Sequence, residues 1–234
     1  MARMKIIFTT LAAVFTAQIV FAGDITGTVH AEPKAGTEQN SAAAGGAYAS
    51  RKFKFVEKVD YAAMRDFVVC LEGKIGTNAA PTNAIAVTTS RVAQQGAVFT
   101  PHILPVQVGT VVEWPNHDDI FHNVFSDSDA AAFDLGLYKG NPTNACWTFN
   151  KSGKVDVYCS IHANMHCVVL VMENPYFAMT DADNHYVITN VPPGTYKIKA
   201  WHERMPAEEK EITVPVSGAT NLDFTLSIKN LPTH

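Results

Sequence analysis

The stretch Tyr158-Cys159-Ser160-Ile161-His162-Ala163-Asn164-Met165 puts a thiol, an imidazole and a thioether on one short segment, and His122-Asn123-Val124-Phe125 offers a second imidazole upstream. Thiolate and thioether are soft donors that suit Cu(I), whereas imidazole also suits Cu(II). Two histidines, one cysteine and a weak axial methionine therefore point to a mononuclear copper centre that changes oxidation state without exchanging ligands. The flanks of the segment decide the fold. Lys154-Val155-Asp156-Val157-Tyr158 alternates polar and apolar residues, the pattern of a strand that delivers Cys159 at its end. Cys167-Val168-Val169-Leu170-Val171-Met172 is a continuous apolar run, the pattern of a buried returning strand. A donor loop held between two paired strands has the fixed geometry that a metal site needs.

Working outward, Phe99-Thr100-Pro101-His102-Ile103-Leu104-Pro105-Val106-Gln107-Val108-Gly109-Thr110-Val111-Val112-Glu113-Trp114-Pro115-Asn116 reads as strand, glycine turn and strand ahead of His122. With the ligand segments, this region resembles the cupredoxins, the small blue-copper β-sandwiches, and its ligand loop is similar to the short amicyanin-like form. Phe133-Asp134-Leu135-Gly136 and Trp147-Thr148-Phe149 are similar to elements of a cupredoxin branch fused to another β domain. The resemblance implies one type 1 copper held by His122, Cys159, His162 and Met165. It also implies that Asn123, next to the first ligand, ties the two ligand segments together by hydrogen bonding, as ligand-orienting partners do. In such proteins the histidine matching His162 reaches the surface inside an apolar patch; here Phe121, Ala163 and Pro142 are its expected neighbours.

The other histidines lack such support. His117 lies in the polar turn Pro115-Asn116-His117-Asp118-Asp119 and is expected to be solvated or at the rim of the site. His166 is expected to point away from Met165, because neighbouring strand residues face opposite ways. His102, His185 and His202 have no partner at ligand spacing. The absence of a His-x-His pair removes support for a multi-copper oxidase centre, and the absence of a second cysteine three or four residues from Cys159 does the same for a thiolate-bridged binuclear one.

After Asn174-Pro175 the pattern becomes a series of short alternating strands. Asp183-Asn184 suits the positive φ of a turn, Pro192-Pro193-Gly194 reads as a type II turn, and Tyr196-Lys197-Ile198-Lys199-Ala200-Trp201 alternates. This part resembles the carboxypeptidase-regulatory-like, or transthyretin-like, module, with Asn184 where that family commonly has glycine. The module opens with strands like Ile25-Thr26-Gly27-Thr28-Val29 and Phe67-Val68-Val69-Cys70-Leu71, and here both precede the copper region. The resulting expectation is an all-β chain, a Greek-key cupredoxin sandwich inserted into a second small sandwich. Its boundaries are 1–22 for an export signal, 23–73 for N-terminal strands and a flexible loop at 32–48, 74–173 for the copper domain and 174–234 for the second sandwich. Two consecutive domains are the simpler alternative.

Arg3 and Lys5 followed by an apolar stretch to Phe21 read as a secretory signal cleaved near Gly23. The mature chain is then expected in the periplasm or otherwise exported, with no membrane span. Of 234 residues 47% are hydrophobic and 17% charged, with a formal charge of -4, which describes a globular protein and argues against nucleic acid as a partner. Cys70, Cys146 and Cys167 remain once Cys159 is assigned to the metal; Cys70 and Cys167 lie in apolar runs and are expected as buried thiols, Cys146 beside Trp147 is the candidate for an exposed or paired one, and no disulfide is assigned. Electron transfer with periplasmic redox proteins, a dehydrogenase or a cytochrome, is the leading expectation. Copper trafficking or storage is the alternative. Enzymatic chemistry is not expected, because it needs an open coordination position that Met165 would fill.

Overall fold

The computed structural model describes residues 22–33, 59–75, 89–142 and 145–227. The export segment, most of the loop expected at 32–48 and most of a weaker strand that Ala84 to Thr89 suggests lie outside those residues. No helix among the described residues is long and apolar enough to cross a membrane.

Strand β1 (Gly23–Glu32) opens the fold, and β2 (Val68–Leu71) follows a single 3-10 turn at Tyr61–Ala63. The Asp60 carboxylate caps that turn by accepting the Ala62 and Ala63 amides at 3.1 and 3.2 Å. Next come β3 (Thr89–Arg91), β4 (Ala93–Gln94), β5 (Phe99–Thr100), β6 (Ile103–Gln107), β7 (Val111–Glu113) and β8 (His122–Ser128). The region that holds the expected ligands is completed by β9 (Ala131–Tyr138), β10 (Cys146–Thr148), β11 (Gly153–Tyr158) and β12 (His166–Met172). Last come β13 (Phe177–Met179), β14 (His185–Val191), β15 (Gly194–His202), β16 (Met205–Val214), β17 (Ala219–Asn221) and β18 (Phe224–Ser227).

These strands make an all-β molecule with two cores. In the first, a five-stranded sheet in the order β6-β12-β11-β8-β9 packs with the three-stranded sheet β10-β7-β3 around Trp114, Phe99, Phe149 and Val155. In the second, β14-β1-β17, with β18 also on β1, packs with β13-β2-β15-β16 around Ile25, Phe67, Tyr186 and Phe224. Strands β1 and β2 thus belong to sheets whose other members follow β12.

Strand β12 explains its own apolar run. Alternate residues of a strand face opposite sides. Cys167, Val169 and Val171 enter the first core, while Val168, Leu170 and Met172 form a small apolar cluster with Val68, Met179 and Trp201 of the second sandwich. The strand is buried on both faces because a second module covers its outer one. By the same parity His166 faces the second module.

Two turns bear on the sequence reading. Asn184 takes a φ of 63°, as expected of it. The type II turn expected at Pro192-Pro193-Gly194 is not formed: Gly194 has no positive φ and begins β15, and the left-handed residue at this reversal is Asn190, at 59°. The Tyr196 hydroxyl closes the corner instead, donating to the Pro192 carbonyl at 2.8 Å.

Gly27 marks where β1 passes closest to the chain after β17. A methyl there would fall 2.7 Å from the Leu222 carbonyl carbon and 2.9 Å from the Tyr186 ring. Gly27→Ala is expected to cost about 1–3 kcal/mol or more, the range for overpacking a tight core, read as a lower urea midpoint with an unchanged slope.

Candidate metal centre

Strand β8 carries His122 at its first position, fully buried, and the turn after β11 carries Cys159, also buried. His162 follows mid-loop and is half-buried. The loop is closed on itself: the Met165 amide donates to the His162 carbonyl at 3.0 Å, and the Cys159 amide donates to the Met165 carbonyl at 3.1 Å. Met165 is 1% exposed and packs in the same core cluster as Cys159. The His122 and His162 Nδ1 atoms are 3.0 Å apart, and the Cys159 Sγ is 3.6 Å from the His162 Nδ1. His122, Cys159 and His162 offer donor atoms that all lie within 4.8 Å of one another. Three of the four residues read from the sequence as ligands therefore meet, and the fourth is buried beside them.

The surroundings orient these donors. The His122 Nε2 lies 2.7 Å from the Asp118 carboxylate, so that nitrogen carries the proton and donates it, leaving the Nδ1 lone pair toward His162 and Cys159. This is the partner arrangement of metal-bound histidines. Asp118 is held in turn by the amides of Gly96 and Ala97, at 2.6 and 2.9 Å. Gly96 and Ala97 both have positive φ, 64° and 55°, which turns both N–H groups toward one carboxylate. The Ala97 and Gly96 amides, with the His122 ring N–H adding to them, hold the Asp118 carboxyl at about 2, so it is ionised near neutral pH. Asn116 braces the same loop: its side-chain oxygen accepts the Asp118 amide at 2.9 Å and its amide group donates to the Ile120 and Tyr138 carbonyls.

Asn123 links the ligand segments through its main chain. Its backbone N–H donates to the Cys159 Sγ at 3.4 Å, and its side chain donates to Asp134 of β9 at 2.7 Å. The side chain thus joins β8 to β9, and the tie between the ligand segments runs through the Asn123 main chain.

Sequence reasoning missed Asp118, grouped there with a solvated turn. The usable signal was an acid four residues before the first histidine. It also left His102 without a partner. The parallel pairing of β6 with β12 brings His102 and His166 together, their ring centroids 5.5 Å apart, beside Glu203 from the turn after β15. No spacing in the sequence announces a pairing that the sheet creates. His117 is exposed, as expected.

All four cysteines are free. Burial pushes the Cys70 thiol up to about 11 and raises that of Cys167 further, so both act as small apolar core residues. Cys146 is partly exposed.

Asp118→Asn keeps the size of the side chain and removes the charge that fixes the His122 ring. Copper affinity is expected to fall about 10–100-fold, the usual effect of losing such a partner, with unchanged far-ultraviolet circular dichroism. A competitive chelator titration measures it.

No protein-family model matches the chain, and no curated protein does. Among solved structures, a copper-containing nitrite reductase from Thermus scotoductus is 26% identical over 37% of this chain and 23% of its own, with a TM-score of 0.34. Amicyanin in its Cu(I) form, as a methionine variant, is 25% identical over 36% of this chain and 81% of its own, with a TM-score of 0.32. A purple cupredoxin from Nitrosopumilus maritimus is 25% identical over 35% of this chain and 98% of its own, with a TM-score of 0.30. The chain thus spans under a quarter of the nitrite reductase and most of the two smaller proteins.

Proposed function

We propose that the chain is a type 1 copper protein that carries single electrons between redox partners in an exported compartment. The observation behind this reading is the convergence of His122, His162 and the Cys159 Sγ, their donor atoms within 4.8 Å of one another, with Met165 buried in the same core cluster as Cys159. The donor set fits copper on chemical grounds: one soft thiolate, two imidazoles whose Nδ1 atoms converge beside it, and a thioether in the same buried cluster. Copper bound there would supply a one-electron couple between Cu(I) and Cu(II). The residues supply the rest. Asp118 and the Asn123 amide fix the directions of the His122 ring and the Cys159 sulfur. Tyr138, Trp114 and Phe133 pack in the same buried core as Cys159 and Met165, so little solvent rearranges when the charge at the centre changes.

Partner contact is assigned to the His162 side of the site. Phe121, beside His122, is 56% exposed, and Ile161, beside His162, is 51% exposed. Ile120 is exposed as well, as are Ala163 and Pro142. Large apolar side chains left in water next to a ligand suit a small, quickly released interface. Copper delivery is less favoured, because three of the four donors are buried and a hand-off needs them accessible.

Ala163→Glu separates docking from mere sealing of the site. It adds a charge at the contact while leaving all four ligands. The optical spectrum and potential are expected to stay unchanged, and bimolecular electron transfer with the physiological donor is expected to slow. An unchanged stopped-flow rate would place the docking surface elsewhere.

A further inference from the structure

A second set of donors lies outside the copper centre, on the outer face of the β12 sheet. The His102 Nδ1 is 3.1 Å from the His166 carbonyl oxygen, and the His166 Nε2 is 3.1 Å from the Asp156 carboxylate, which Lys154 also meets at 2.8 Å. Carbonyl and ionised carboxylate oxygens only accept, so each of those ring nitrogens carries a proton. The other nitrogen of each ring faces Glu203. The His102 Nε2 is 2.6 Å from one Glu203 oxygen, and the His166 Nδ1 is 3.5 Å from the other. By the same rule the His102 Nε2 donates a proton to Glu203, so a cation would take the place of that proton; the two ring nitrogens and the Glu203 carboxylate that would hold it all lie within 4.8 Å of one another.

We propose that His102, His166 and Glu203 form a second metal site, for a divalent cation of the zinc class, that ties the two sandwiches together. Each histidine already donates its remote N–H to an oxygen, as metal-bound histidines do. Two imidazoles and one carboxylate form a known zinc donor set that leaves a fourth position for water. The Tyr158 ring stacks on His166 with centroids 4.7 Å apart and fixes its plane. Donor atoms around a tetrahedral zinc lie roughly 3.3 Å apart, given zinc–ligand distances of about 2.0–2.1 Å. The His166–Glu203 separation is already close to this, and the His102–Glu203 contact must open. Glu203 sits in the turn between β15 and β16, where such a shift is easily absorbed. His102 and His166 come from the copper sandwich and Glu203 from the second one, so the cation would bridge the modules at the edge of the Val68–Val168–Trp201 cluster.

The test is a metal count by equilibrium dialysis against micromolar Zn²⁺, without an affinity tag. It compares the native chain with His102→Ala and Glu203→Gln, two changes at side chains that are 46% and 26% exposed. Each variant is expected to hold one zinc fewer than the native chain, whatever number the Cys159 centre takes up. Zn²⁺ is expected to raise the melting temperature of the native chain by more than that of either variant. Co²⁺ reports on the first centre separately, because its thiolate-to-metal absorption arises only at Cys159 and is expected to be the same in all three proteins. Equal zinc counts in the native chain and both variants overturn the proposal. So does a variant that loses the cobalt–thiolate absorption together with its zinc, since the zinc then belonged to the Cys159 centre.

Discussion

A fragment beginning at Asn174 is expected to be unfolded in isolation. It contains β13 to β18, yet both sheets of the second sandwich need strands from the other end of the chain. Strand β1 is the shared neighbour of β14, β17 and β18, and β2 lies between β13 and β15. Their loss removes Ile25, Val29, Phe67, Val69 and Leu71 from the core, every one of them at most 3% exposed. At about 1.5–3 kcal/mol for each buried side chain, the deficit is roughly 7–15 kcal/mol, as large as the whole stability of a typical domain. It also strips hydrogen-bond partners from the remaining strands. Circular dichroism and urea titration measure the outcome. A cooperative transition in the Asn174 fragment would mean that the second sandwich stands alone and that β1 and β2 only decorate it.

Cys159→Ser is expected to abolish the intense visible colour of the copper-loaded chain and to weaken Cu(I) binding by more than the ~10–100-fold that follows loss of an outer partner. A serine hydroxyl is neither soft nor ionised near neutral pH, so it replaces neither the charge nor the polarisable lone pairs of the thiolate. The fold should tolerate the change, because the Asn123 amide can donate to the new oxygen as it does to the sulfur. Optical titration with Cu(II), alongside a Cu(I) chelator competition, reads both effects. Retention of the colour by the serine chain would remove Cys159 from the centre.

The parts of this molecule that were legible in the sequence are those written locally. Alternation in 154–158 and the apolar run in 167–172 placed β11 and β12, and the donors between them placed the centre. Asn184 was readable because few residues tolerate its φ of 63°. Features created by pairing across the chain were not readable. The hairpin amides that anchor Asp118 come from Gly96 and Ala97, and alanine at positive φ carries no sequence signal. His102 and His166 meet only because β6 runs parallel beside β12. The Pro192-Pro193-Gly194 reading failed because Tyr196 holds the corner and Asn190 takes the left-handed position, so glycine is free to start a strand.

The visible absorption spectrum of the native chain loaded with one equivalent of Cu(II) tests the central claim most directly. The arrangement of His122, Cys159, His162 and Met165 predicts an intense thiolate-to-copper band that disappears on reduction and returns on reoxidation, with the copper still bound after desalting. A weak spectrum typical of copper on nitrogen and oxygen donors, or copper lost from the chain on reduction, would contradict an electron-carrying centre at this site.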